Sequence, residues 1–84
     1  AWADLTGADL SGADMTGTDL MYADLRLANM EGTDLTDADL TNAELTDSLG
    51  QDADLTNVTW NNTICPDGTN SDDKGNTCEN NLLI

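Results

Sequence analysis

From Ala3 onward, apolar residues return every five positions. The chain divides as ADLTG, ADLSG, ADMTG, TDLMY, ADLRL, ANMEG, TDLTD, ADLTN, AELTD, SLGQD, ADLTN and VTWNN. These twelve pentads contain no insertion, and TICPD follows in the same register. The large central residues are Leu5, Leu10, Met15, Leu20, Leu25, Met30, Leu35, Leu40, Leu45, Leu55 and Trp60. Two positions before each comes a small or modest residue, from Ala3, Ala8 and Ala13 to Ala53 and Val58.

Neither common element fits this period. On a helix, five residues advance about 140° beyond a full turn, which scatters the leucines around the cylinder. On a flat strand an odd period sends successive leucines to opposite faces. The pattern closes if the backbone turns a corner in every pentad, so that each central residue and the small residue two before it share one interior. Gly7, Gly12, Gly17, Asp37, Asn42 and Asp47, at the last pentad position, are suitable corner residues. The spacing therefore predicts a coil.

From Ala3 to about Cys65 the sequence resembles the pentapeptide-repeat family, whose motif is A(D/N)LXX. The resemblance implies an all-β fold, a right-handed quadrilateral β-helix with four pentads per coil. Twelve pentads then give about three coils, at 3–22, 23–42 and 43–62. Stacked at the usual inter-strand distance of about 4.8 Å, they form a stub of roughly 15 Å. Residues twenty apart fall into interior columns: Leu5/Leu25/Leu45, Leu10/Met30/Gly50, Met15/Leu35/Leu55 and Leu20/Leu40/Trp60. The pentad SLGQD departs from the motif, with Leu49 where Asp belongs and Gly50 where Leu belongs. Either Leu49 is exposed or a local bulge turns it inward beside Met30, and the bulge is favoured because an unfilled leucine-sized hole costs several kcal/mol.

After Asn62 the repeat gives way to TICPDGTNSDDKGNTCENNLLI, rich in turn residues. Two regions follow, a β-helix at 1–64 and a C-terminal loop at 65–84. Cys65 and Cys78 lie in the second. A metal site would need more ligands, a redox pair normally reads CxxC, and neither pattern is present. The expectation is a structural disulfide. The segment WNNTICPDGTNS followed by a second Cys also looks like the tail of some bacterial pentapeptide-repeat proteins, which implies a disulfide-tied cap. Leu82, Leu83 and Ile84 are then expected to cover the open coil end. A disulfide points to a periplasmic, lumenal or extracellular location, and no signal segment opens the chain, as in a mature or excised domain. Asp67, Asn70, Asp72, Asp73 and Glu79 suggest a calcium loop, but the EF-hand order is absent and Lys74 stands at a ligand position. Ordinary turn residues explain them better. The acceptor patterns at Asn57 and Asn61 are expected by chance in an Asn/Thr-rich repeat.

Composition complicates this picture. Only 15 of 84 residues are Leu, Ile, Val or Phe, and the net charge is −15, values typical of disordered chains. The order of the residues outweighs their proportions. The same numbers exclude functions. One Arg, one Lys and no His leave no basic patch for direct nucleic-acid binding and remove the commonest general base. No apolar run reaches membrane-spanning length. No cofactor or metal is implied, and the expected class is non-catalytic.

The carboxylates form outward columns, Asp4/Asp24/Glu44, Asp14/Asp34/Asp54 and Asp19/Asp39. Like charges held about 5 Å apart repel, so raised pKa values are expected for Asp14, Asp34 and Asp54, with backbone hydrogen bonds as the competing effect. Met21, Tyr22 and Leu27 are outward apolar residues that together with Asp14, Asp34 and Asp54 form the candidate partner surface. Trp2 is a candidate end cap or self-association contact at the first coil. These features indicate a structural or protein-interaction domain with an acidic surface, whose partner is a protein or a second copy at a coil end. The family resemblance also allows an alternative, a DNA mimic that inhibits a type II topoisomerase.

Overall fold

Every corner is a tight turn built by the pentad itself. Of its two central residues only the second has positive φ, as at Gly7 (71°), Asp37 (62°) and Asn57 (57°), which is the type II arrangement. A bond across the corner closes the turn, such as Ala8 N–H to Leu5 O at 3.0 Å and Ala38 N–H to Leu35 O at 2.9 Å, except at Trp60–Thr63, where Thr63 N–H donates to Ser71 Oγ at 3.1 Å. The computed structural model describes residues 2–79. In it the chain winds as a four-sided coil with a repeat of twenty residues.

Parallel bridges twenty residues apart define four faces. Face 1 carries Asp4, Asp24, Glu44 and Ile64; face 2 carries Asp9, Asn29 and Leu49; face 3 carries Asp14, Asp34 and Asp54; face 4 carries Asp19, Asp39 and Thr59. Each contact is a single bridge, and no longer strand occurs among the described residues. The turns leave only three residues per side, too few for a longer ladder. The bonds between coils are nevertheless regular, as in Leu25 N–H to Glu44 O and Asp24 N–H to Ala3 O, both 2.8 Å.

The interior follows the pentad register. Leu25, Leu35, Leu40 and Leu45 are at most 1% exposed, and the alanines at 28, 38 and 43 are fully buried beside them. In the first coil Leu5, Leu10 and Met15 are half-buried, while Leu20 is buried. Threonine replaces alanine at two buried positions, and in each case its hydroxyl finds a carbonyl one coil below. Thr33 Oγ1 donates to Leu10 O, and Thr63 Oγ1 to Leu40 O, each at 2.7 Å. Ser48 Oγ lacks such a bond. It is the one buried side-chain polar atom without a partner among the described residues.

Of the two arrangements open to SLGQD, the favoured bulge at Leu49 does not form. Leu49 keeps the outward position and bridges Asn29, while Gly50 faces the interior and is buried. Three bonds hold the register: Leu49 N–H to Ala28 O (2.9 Å), Met30 N–H to Leu49 O (2.7 Å) and Gly32 N–H to Gln51 O (3.0 Å). A bulge would break this ladder among buried backbone groups, each of which needs a partner. The regular register keeps the bonds and accepts a missing side chain.

The start of the tail continues the coil. Ile64 bridges Glu44, Cys65 is fully buried above Leu45, and Asp47 N–H donates to Pro66 O at 2.9 Å. The chain then reverses, with Gly68 N–H bonded to Cys65 O at 2.8 Å and an antiparallel bridge from Ile64 to Asn70. A 3₁₀ turn, Ser71–Lys74, follows. The Asn70 side chain caps it by accepting from Asp72 N–H, and Gly75 (φ 75°) ends it. Cys78 is buried and disulfide-bonded to Cys65, with Cα atoms 5.3 Å apart. Leu82, Leu83 and Ile84, expected as the end cover, lie outside the described residues.

Candidate functional site

A coil whose interior is filled by its own side chains presents its chemistry on the outside. Carboxylates dominate that exterior, but they are not free. Asp14 Oδ1 accepts from Thr16 N–H (3.1 Å) and Thr16 Oγ1 (2.7 Å), and Asp34 and Asp54 repeat the arrangement with Thr36 and Thr56 at 3.0 and 2.6 Å. Asp9 does the same with Ser11, and Asp39 with Thr41. The D-L-T sequence therefore builds a local clamp in which a carboxylate receives two donors from the residue two ahead.

These clamps reverse the expectation of raised carboxylate pKa values. The threonine hydroxyl, then the threonine N–H, holds each of Asp14, Asp34 and Asp54 below the ordinary carboxylate value. Repulsion from Asp34 raises the values of Asp14 and Asp54, but it is the smaller effect. Two short hydrogen bonds to the ionised form outweigh a like charge one coil away, across a surface open to water. Asp24 is lowered further, to about 2, chiefly by the Arg26 side chain.

Arg26, the lone arginine, makes a two-pronged contact with Asp24, Nε to Oδ1 at 2.9 Å and a second nitrogen to Oδ2 at 2.7 Å. It lies on face 1 between two corner columns. One column runs Trp2, Tyr22, Asn42, Asn62. Its lower rings stack at 4.3 Å between centroids with planes 3° apart. Its upper amides form a ladder, Asn62 Nδ2 to Asn42 Oδ1 and Asn70 Nδ2 to Asn62 Oδ1, each 2.8 Å. The other column is Gly7, Leu27, Asp47. A shallow groove beside it is lined by Thr6, Arg26, Leu27, Thr46 and Asp47.

The candidate surface residues are therefore divided among different faces. Tyr22 and Leu27 are exposed at the two edges of face 1. Met21, expected to be exposed, lies on face 4 and is only half-exposed, and its carbonyl accepts from Trp2 N–H at 2.9 Å. Asp14, Asp34 and Asp54 occupy face 3, opposite face 1. Trp2 stacks on Tyr22, where the expectation was a contact at the coil end. The stack, the asparagine ladder and the Arg26–Asp24 pair were missed from the sequence. The twenty-residue spacing of 2, 22, 42 and 62 was the signal available for the first two.

The tail's acidic residues do not converge on a common point. Asp67 accepts from Thr69 N–H, Asn70 caps the 3₁₀ turn, and Asp72 accepts from Asn62 N–H. Among the described residues no group of three metal-binding side chains comes together. Likewise, no helix among them is long and apolar enough to cross a membrane.

Comparison with solved structures finds pentapeptide-repeat proteins. One, from the Arabidopsis thaliana thylakoid lumen, is 33% identical, with 75% of this chain covering 50% of that one at a TM-score of 0.41. Another is HetL, a pentapeptide-repeat protein of Nostoc sp. strain PCC 7120 involved in heterocyst differentiation regulation. It is 25% identical, covering 82% of this chain and 47% of its own, with a TM-score of 0.39. A further Nostoc pentapeptide-repeat protein is 31% identical over 75% of this chain and 66% of its own, with a TM-score of 0.27. The chain thus spans about half the length of the first two. No protein of curated function matches it. The model of the pentapeptide repeats matches eight copies within residues 1–37 and 22–49. With that match over more than half its length, the chain belongs to the pentapeptide-repeat family.

Proposed function

We propose that this domain is a non-catalytic protein-interaction module, a right-handed four-sided β-helix that presents fixed carboxylates to a partner. One observation carries this reading: carboxylates on successive coils are each oriented by donors two residues ahead. A carboxylate already locked in place loses little conformational freedom on binding, so a rigid acidic surface suits recognition of complementary charge. The fully buried disulfide of the cap supports a periplasmic, lumenal or extracellular site of action.

Mimicry of duplex DNA toward a type II topoisomerase is the weaker reading. A disulfide-tied cap fits an oxidising compartment and fits poorly with an intracellular topoisomerase as target. A supercoiling assay tests it, and inhibition at micromolar protein would favour mimicry. The interaction reading is tested by carbodiimide coupling in the native extract, which joins carboxylates to partner lysines. The expected product is one discrete adduct with its crosslinked peptides on one face. No adduct, or crosslinks spread evenly over all four faces, would overturn the interaction reading.

A further inference from the structure

We propose that face 1, between Tyr22 and Leu27, is the docking site, and that its occupant is a cationic protein segment carrying an aliphatic or aromatic side chain. This assignment rests on the interaction reading above and names the face and the partner chemistry. Backbone strain is the first support. Most corners with positive φ are occupied by Gly, Asn or Asp, which tolerate the left-handed region. Trp2 (64°), Tyr22 (61°) and Leu27 (62°) adopt it with bulky side chains. The same three are the exposed large hydrophobic residues, at 74%, 46% and 62%. The Trp2–Tyr22 stack offsets part of this strain, whereas Leu27 combines strain with apolar exposure, and strained positions that persist mark functional surfaces.

Placement is the second support. Tyr22 begins the middle-coil side of face 1 and Leu27 ends it, with Arg26 flattened against Asp24 between them. The ion pair consumes the only positive charge there. Asp47 lines the groove beside Leu27, and Asp4 and Glu44 flank Asp24 on the same face. An acidic rim around apolar anchors fits a segment that places an apolar side chain in the groove and Lys or Arg on the rim. A net charge of −15 repels a second copy, an anionic membrane and nucleic acid alike.

The test uses a fluorescein-labelled peptide of alternating Lys and Leu, with a Lys/Ser peptide of equal charge as control, read by fluorescence anisotropy. The intact protein should bind the Lys/Leu peptide at least tenfold more tightly than the Lys/Ser peptide. Leu27→Gly and Tyr22→Asn should each weaken binding several-fold. Leu27→Gly should melt at the same or a higher temperature, because glycine relieves the strain at that corner. Equal affinity for both peptides, or unchanged binding by both variants, would overturn the assignment. So would a clear drop in the Leu27→Gly melting temperature, which would make the corner structural. A dimer that disappears in Leu27→Gly, measured by sedimentation, would identify a second copy and sink the cationic partner. Carbodiimide crosslinks confined to face 3 would reject face 1 while leaving the interaction reading intact, whereas no crosslinks at all would remove both.

Discussion

Truncating Leu35 removes three carbons from the middle of the stack. Leu35 is fully buried, with Met15 below it and Leu55 above it in the same column. At about 0.8 kcal/mol per buried methylene the lost transfer energy is roughly 2.4 kcal/mol. The packed coils on both sides cannot collapse onto the hole, so Leu35→Ala should cost about 3 to 4 kcal/mol in all. For a chain of this length total stability is on the order of 4 to 13 kcal/mol, so one substitution removes a large share. Leu5→Ala is the internal comparison. Leu5 is half-buried in the first coil, and about 1 kcal/mol is expected there. Glu31, exposed on face 2, should tolerate alanine within about 0.5 kcal/mol. Thr36 is not a neutral control, because its hydroxyl is bonded to Asp34. Urea denaturation followed by circular dichroism measures all three variants. Equal costs at Leu35 and Leu5, or less than about 1 kcal/mol at Leu35, would refute the interior assignment.

Acid should destabilise the fold. Asp9, Asp14, Asp24, Asp34 and Asp54 have folded-state pKa values below their unfolded ones, so their stabilisation is complete above the unfolded value of about 4. It is lost as pH falls through the folded values, ending near 2 for Asp24. A melting temperature that rises between pH 5 and 3 would show that repulsion wins. Ser48→Ala should stabilise by about 1 kcal/mol, since it removes an unpartnered buried hydroxyl. That gain corresponds to roughly 4 to 8 °C in calorimetry, and a lower melting temperature would mean the hydroxyl has a partner. Reduction of Cys65–Cys78 should cost roughly 3 kcal/mol through the reopened loop. Two thiols that alkylate in freshly isolated, unreduced protein would rule the disulfide out there.

The sequence alone determined the coil, because a period of five is incompatible with a helix or a flat strand and twelve uninterrupted copies fix the register. Leu25, Leu35, Leu40 and Ala38 are buried where that register puts them, since a local turn in every pentad sets which side chains point inward. Cys65–Cys78 was also legible, from cysteine spacing in a turn-rich tail. What the tertiary structure decided are the outcomes of competition between forces of similar size. Leu49 stayed outside because the inter-coil hydrogen bonds of its backbone outweighed the hole at Gly50. The carboxylate pKa values fell because the two bonds that Thr16, Thr36 and Thr56 each donate within their own pentad outweighed repulsion between coils, a balance that only the folded geometry settles. The Trp2–Tyr22 stack and the Asn42–Asn62–Asn70 ladder exist only once coils are superposed. A repeat specifies what each residue faces within its own coil, whereas contacts between outward side chains of different coils depend on distances that stacking alone sets.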